Sequence, residues 1–92
     1  GAYAASAREQ VTALLTAAGA GDVAELTRRA HTLKGASASA AMPRMAEAAA
    51  AVERAGREGQ IDPRAVESLR AAWAETRALP QLDAAAGVAP ES

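Results

Sequence analysis

The sequence predicts an all-α protein that folds as an antiparallel, up-and-down bundle of four helices. Hydrophobic residues make up 50% of its 92 residues, but only 2% are aromatic and alanine supplies much of the apolar fraction. Alanine is the best helix former of all residues. Apolar residues also recur every three or four positions in four segments. Glycine, proline or a capping aspartate separates each of these segments from the next.

The first two predicted helices are joined by a turn that contains glycine. Helix one covers about residues 3–18, and Gly21 interrupts the pattern after it. Helix two begins at Asp22, a good N-cap, with Glu25 three residues later as in a capping box, and it should continue to about Ala40. The inner faces are formed by Ala4, Ala7, Val11, Leu14 and Ala18 in helix one, and by Val23, Leu26, Ala30, Leu33 and Ser37 in helix two.

The third and fourth predicted helices each begin with a proline. Pro43 fits the first turn of helix three, where its missing N–H does no harm, and Gly56 and Gly59 close that helix. Asp62 caps helix four, and Pro63 occupies its first position. The buried faces are Met45, Ala49 and Val52 in helix three, and Val66, Leu69, Trp73 and Thr76 in helix four. Short connections between such helices favour antiparallel neighbours.

Composition bounds the domain organisation and the classes of partner. Residues 1–79 are predicted to form one domain, and residues 80–92 a C-terminal tail or linker. A net charge of −1 without a basic face argues against a nucleic-acid partner. The absence of cysteine excludes disulfides, and one histidine leaves too few ligands for a metal site, so we expect no cofactor bound by this chain.

The chain also lacks the signals of membrane or exported proteins. No apolar run approaches the roughly 18 residues that a membrane-spanning helix needs, and no signal-peptide pattern opens the sequence. We therefore expect a cytoplasmic protein without membrane insertion. Because it starts at Gly1 rather than at methionine, the sequence resembles a piece of a longer protein.

His31 is the only histidine, and it lies in the middle of the second predicted helix but off its apolar stripe. Each helical residue advances by about 100°, which puts His31 roughly 120° from the centre of the stripe. The imidazole should therefore point outward into solvent. No carboxylate lies three or four residues from His31 along its own helix. We therefore expect none beside the ring to orient a hydrolytic water.

Two neighbours on the same helix surface suit a histidine that carries a phosphoryl group. Lys34 follows His31 by three residues, and its ammonium would offset the roughly two negative charges of a phosphohistidine. Gly35 lies one turn beyond His31, where a mid-helix glycine costs roughly 1 kcal/mol relative to alanine. We interpret Gly35 as leaving space for an approaching active site. The alternative is that it ends the helix after Lys34.

Thr27, Arg28 and Ala38 are the candidate partner-docking residues around this site. The side chains of Thr27 and Ala38 are small, so they would admit the loops of a partner. Arg28 could add positive charge three residues before His31, although an ordinary surface cation is the simpler interpretation. We expect the docking surface to consist of the exposed sides of the first two helices.

The run His31-Thr32-Leu33-Lys34-Gly35 resembles the His-x-Leu-Lys-Gly motif of the histidine-containing phosphotransfer (HPt) family of two-component phosphorelays. A Gly21-Asp22 entry precedes the motif, and Pro43-Arg44 follows it at a distance similar to that in the family. The resemblance covers about residues 3–79. One departure is Ala41, where many members have a glycine, and it concerns the shape of the turn before the third helix.

The resemblance implies that the chain is a phosphocarrier. His31 would accept a phosphoryl group from the aspartyl phosphate of a response-regulator receiver domain and pass it to another receiver. Lys34 would stabilise the phosphate, and Gly35 would leave room for it. The receiver would supply Mg²⁺ and most of the catalytic apparatus.

Two alternatives stay open at this point. The chain could be the histidine-bearing phosphotransfer domain of a hybrid or chemotaxis-type sensor kinase, phosphorylated by an attached or partner ATPase domain. It has no glycine-rich nucleotide loop and no room for an ATP-binding domain, so it cannot be a complete kinase. A non-catalytic helical interaction module is the second alternative, and it predicts that His31 can be replaced without functional loss.

Overall fold

The computed structural model describes residues 2–79 and confirms the all-α, four-helix architecture. The helices are α1 (Ala2–Ala20), α2 (Val23–Ser39), α3 (Pro43–Arg57) and α4 (Pro63–Arg77). Each helix packs on the next along the chain, and α1 also contacts α4, which closes the bundle. No helix among residues 2–79 is both long and apolar enough to cross a membrane. The predicted tail, residues 80–92, lies outside the described residues.

One apolar core runs between the four helices. Alanines alternate in it with larger side chains, and this allows neighbouring helix backbones to approach each other closely. Trp73 is buried in this core, which confirms its prediction as part of the inner face of α4. The largest fully buried side chains are those of Leu14, Leu26, Leu33, Met45, Leu69, Val52 and Ser37. The predicted stripes are therefore correct, except that Val23 and Ala18 are only half-buried.

Two aspartates begin helices as the sequence predicts. The side chain of Asp22 accepts a hydrogen bond from the Glu25 backbone N–H (3.1 Å) at the start of α2, and Asp62 accepts one from the Arg64 N–H (2.9 Å) at the start of α4. The capping box at α2 is only half formed, because the Glu25 carboxylate pairs with arginines of its own helix instead. Both caps satisfy N–H groups that have no partner within their helix.

The first three helices end with the same hydrogen-bonding pattern. At the end of α2, the Met42 N–H donates to the Ser37 carbonyl (2.8 Å) and the Ala41 N–H to the Ala38 carbonyl (3.1 Å). This is the Schellman motif, which requires a left-handed residue just after the helix. Glycine fills that position after α1 and α3, as Gly21 (φ 72°) and Gly59 (φ 79°), but after α2 it is Ala41 (φ 57°). The departure of Ala41 from the family pattern therefore keeps the turn shape but places a side chain in left-handed backbone.

Candidate functional site

His31 lies in the middle of α2, on the flank of that helix that faces α3. The inner face of α2 is taken by Leu26, Ala30, Leu33 and Ser37, all of them buried. The imidazole consequently lies outside the core, and 62% of the His31 side chain is exposed. This confirms the outward orientation predicted from the helical angle.

A carboxylate from α3 reaches the imidazole, contrary to the expectation that none lies beside it. Glu53 Oε2 is 2.8 Å from His31 Nδ1, although the two residues are 22 positions apart in sequence. Only 4% of the Glu53 side chain is exposed. The expectation failed because it considered only residues on the same helix. The available signal was that Glu53 follows Ala49 by four residues and therefore lies along the buried stripe of helix three.

The Glu53 carboxylate also binds two cations. Its Oε1 is 2.7 Å from Lys34 Nζ, and its Oε2 accepts from Arg57 Nε (3.1 Å) and Nη2 (2.5 Å). Burial by itself would raise the pKa of the Glu53 carboxyl, but the hydrogen bonds from Lys34, Arg57 and His31 outweigh it and lower that pKa to about 2. Glu53 is therefore ionised at neutral pH.

The ionised carboxylate determines which nitrogen of the imidazole carries the proton. A carboxylate can only accept hydrogen bonds, so the His31 nitrogen that faces Glu53, Nδ1, carries the hydrogen and donates it. In the neutral imidazole the unprotonated nitrogen is then Nε2. No hydrogen bond to His31 Nε2 occurs among residues 2–79. The arrangement fixes one tautomer and leaves a nucleophilic nitrogen available.

Lys34, the predicted phosphate-stabilising residue, lies beside the ring as its spacing requires. Its ammonium and His31 Nδ1 contact the two different oxygens of the same carboxylate. With Arg57, the cluster contains two positive charges and one negative charge next to the imidazole. The cluster therefore has an excess of one positive charge on the Nδ1 side of the ring.

Gly35 is exposed within α2, and α2 continues past it to Ser39. The alternative that Gly35 ends the helix is therefore wrong. A Cβ built on Gly35 would meet no atom within 4 Å, so packing inside this protein does not require glycine there. The space around Gly35 is compatible with the interpretation of steric access, and that role stays a prediction.

The three candidate docking residues lie in different environments. Thr27 is half-buried, and its hydroxyl donates to the Val23 carbonyl (2.7 Å). Arg28 is exposed and pairs with Glu25 at 2.6 Å, while Ala38 is exposed. The carboxylate that contacts His31 comes from α3, whereas the docking surface was expected on the first two helices. The docking roles of Thr27, Arg28 and Ala38 remain predictions.

Gly56 was missed as a residue that shapes the site. The sequence suggests that it closes helix three, but it lies within α3 and is buried. A Cβ on Gly56 would collide with Thr27 Oγ1 and would lie 3.1 Å from Thr27 Cβ. Glycine therefore lets α3 approach α2 closely, one turn before His31 on α2 and three residues after Glu53 on α3. This close approach brings the carboxylate within reach of the imidazole.

Comparison with known protein families finds a match to the model of the Hpt domain over residues 1–84. The matched range contains all four helices, His31 and the Glu53 cluster. No curated protein and no solved structure matches the chain.

Proposed function

Because the chain belongs to the Hpt domain family, the histidine phosphotransfer modules of two-component phosphorelays, we propose that His31 is its phosphoacceptor. In this proposal His31 takes a phosphoryl group from the aspartyl phosphate of a receiver domain and passes it to another receiver. The observation that carries the proposal is the exposed imidazole whose Nδ1 is held by a buried carboxylate at 2.8 Å.

The transfer step follows from the tautomer. The Nε2 lone pair attacks phosphorus, the N–P bond forms, and the bond between phosphorus and the receiver's aspartyl oxygen breaks, so that the aspartate leaves as a carboxylate. The Nδ1 proton stays in place, and the ring becomes a phosphoimidazolium. Its positive charge lies directly opposite the Glu53 carboxylate. No separate general base is needed, because the neutral imidazole loses no proton when it attacks.

The same geometry supports onward transfer. When a second receiver attacks the phosphoryl group, the ring departs as neutral imidazole, which is a better leaving group than the imidazolate that would form without the Nδ1 proton. Glu53 stabilises the ring with its Nδ1 proton, and the N–P bond of that ring breaks more easily during transfer. Lys34 and Arg57 would offset the charge of the phosphoryl oxygens from the side of α2 and α3.

The partner completes the chemistry in this proposal. Mg²⁺ bound by the receiver would neutralise charge on the transferring group, and the open surface at Gly35 would admit the receiver's loops. A cytoplasmic location is part of the same proposal. An attached or partner ATPase domain that phosphorylates His31 would use the same nitrogen. The alternative of a kinase phosphotransfer domain therefore differs in the phosphoryl donor and not in the site.

The proposal is tested by mixing the protein with a receiver domain carrying ³²P on its aspartate. We expect label on the wild-type chain that is labile in acid and stable in base, as phosphoramidates are. The His31→Gln variant should take up no label. Arg64→Gln, an exposed change on α4, is the control and should be labelled normally.

Equal labelling of the His31→Gln variant would contradict the assignment of the phosphoacceptor. Absence of label from the wild-type chain with every receiver offered would favour the alternative of a non-catalytic helical module.

A further inference from the structure

A shallow depression lies between α2 and α3, next to the Glu53 cluster. It is lined by Lys34, Ala50, Glu53, Arg54 and Arg57, and we call these five residues the cationic notch. Ala50 contributes only a methyl group, so the notch is open between the longer side chains around it. Three of its five residues are cations, although the chain as a whole has a net charge of −1.

The charges of the notch are not balanced internally. Glu53 is its one anion, and that carboxylate already binds Lys34 and Arg57. Arg54 is exposed, and no ion pair to it occurs among residues 2–79. Arg28, which lies three residues before His31 on α2, pairs with Glu25. Arg54 is therefore the cation of this surface whose charge is available to another molecule.

We propose that the cationic notch receives an acidic side chain of the receiver domain that docks on His31, and that Arg54 is its main contact. The proposal rests on the proposed function. The notch is continuous with the site, because Lys34 and Glu53 belong to both. A guanidinium matches a carboxylate with two parallel hydrogen bonds. The depression is too open to enclose a free anion, so its ligand is expected to arrive on a partner surface.

An exposed charge at the edge of a docking surface, such as that of Arg54, acts mainly on the rate of association of the two proteins. Complementary charges steer the encounter of two proteins, and the effect weakens as salt screens them. The screening length falls from about 10 Å at 0.1 M salt to about 3 Å at 1 M. Arg54 should therefore raise the efficiency of phosphotransfer at low salt, with little effect on the rate within the docked complex.

The test compares Arg54→Glu with Arg64→Glu. Both substitutions change the net charge by the same amount, but Arg64 lies on α4, which does not contact α2. With a phosphorylated receiver in 0.05 M salt, we expect kcat/KM to fall about tenfold for Arg54→Glu and to change less than twofold for Arg64→Glu. The difference in kcat/KM between the two variants should become smaller in 0.5 M salt. At saturating receiver, kcat of both variants should equal that of the wild type. Phosphoramidate, a small donor that needs no docking, should label both variants at the wild-type rate.

Each part of the proposal can fail separately. Equal kcat/KM for the two variants, or a difference that does not depend on salt, would overturn the notch as a docking site. Slow labelling of Arg54→Glu by phosphoramidate would show that Arg54 acts on the imidazole and would also overturn it. If His31 of the wild-type chain takes label from neither donor, the proposed function fails, and the notch proposal falls with it.

Discussion

The proton on His31 Nδ1 is held by a residue that belongs to another helix. Glu53 is buried, ionised and shared among an imidazole, an ammonium and a guanidinium. Its negative charge is expected to stabilise the phosphoimidazolium more than the neutral ring. In the proposed function Glu53 is thus a positioning residue, because it would act on the phosphoryl group through the imidazole.

The role of its charge is tested by Glu53→Gln. The amide oxygen can still accept from Nδ1–H, but the charge opposite the ring is lost. A hydrogen bond to a charged group is stronger than a neutral one by about 1.4 kcal/mol, which corresponds to roughly tenfold slower transfer. Transfer rates from a phosphorylated receiver measure this effect, and ¹⁵N chemical shifts of the ring report the population of each tautomer.

Glu47→Gln is the matched control, since Glu47 is an exposed residue of the same helix. If the two variants transfer at the same rate with the same ring shifts, Glu53 has no influence on the chemistry of His31.

At the scale of the helices, the ends of α1 and α2 share a motif but have different residues at its left-handed position. Both have Schellman motifs, with Gly21 after α1 and Ala41 after α2. A left-handed conformation costs a non-glycine residue roughly 1–2 kcal/mol. Glycine avoids this cost, but it loses more conformational entropy on folding, which cancels part of its advantage. Ala41 is therefore a strained position that the fold tolerates.

We expect Ala41→Gly to stabilise the protein by about 0.5–1 kcal/mol and Gly21→Ala to destabilise it by a similar amount. Urea denaturation followed by circular dichroism measures both changes. Neither residue touches His31, so phosphotransfer should be unaffected. An Ala41→Gly variant that is less stable than the wild type would mean that the Ala41 methyl group makes contacts worth more than the strain.

The sequence predicts the features that a single helix determines, and it misses the contacts that depend on how two helices pack together. Periodicity identified the stripes of Leu26 to Ser37 and of Met45 to Val52, and cap residues located the starts of α2 and α4. The contact of His31 with Glu53 depends on how α2 and α3 are rotated and spaced relative to each other. Gly56 decides that spacing, and its role cannot be recognised without knowing that Thr27 lies opposite.

For the whole molecule, the site lies between α2 and α3, which form the most extensive helix pair of the bundle. Functional side chains on packed helices are held more firmly than those on loops. The same arrangement links folding to the charge of Glu53, because only the folded state brings its three cationic or hydrogen-bonding partners together.

This link predicts how stability depends on pH. The pKa of Glu53 is about 2 in the folded protein and 4.5 ordinarily, so the unfolded chain binds this proton more readily. The stabilisation from the Glu53 cluster should be fully present above pH 4.5 and should be lost as the pH falls through about 2. Urea denaturation of the wild type and Glu53→Gln between pH 7 and pH 2 measures this.

The free energy of unfolding should fall more steeply with acid in the wild type than in Glu53→Gln. Parallel curves for the two proteins would mean that the Glu53 carboxyl titrates alike in the folded and unfolded chains.

The contact between Gly56 and Thr27 has a consequence for how this protein can change. Neither residue contacts the imidazole, yet together they set how closely α3 approaches α2 and so how far the Glu53 carboxylate must reach. A larger side chain at Gly56 would push α2 and α3 apart. The Glu53 carboxylate would then no longer reach His31 Nδ1 and would not fix the orientation of the ring. If the proposed function holds, a substitution that alters no charged group and leaves the His-x-Leu-Lys-Gly motif intact would then slow phosphotransfer.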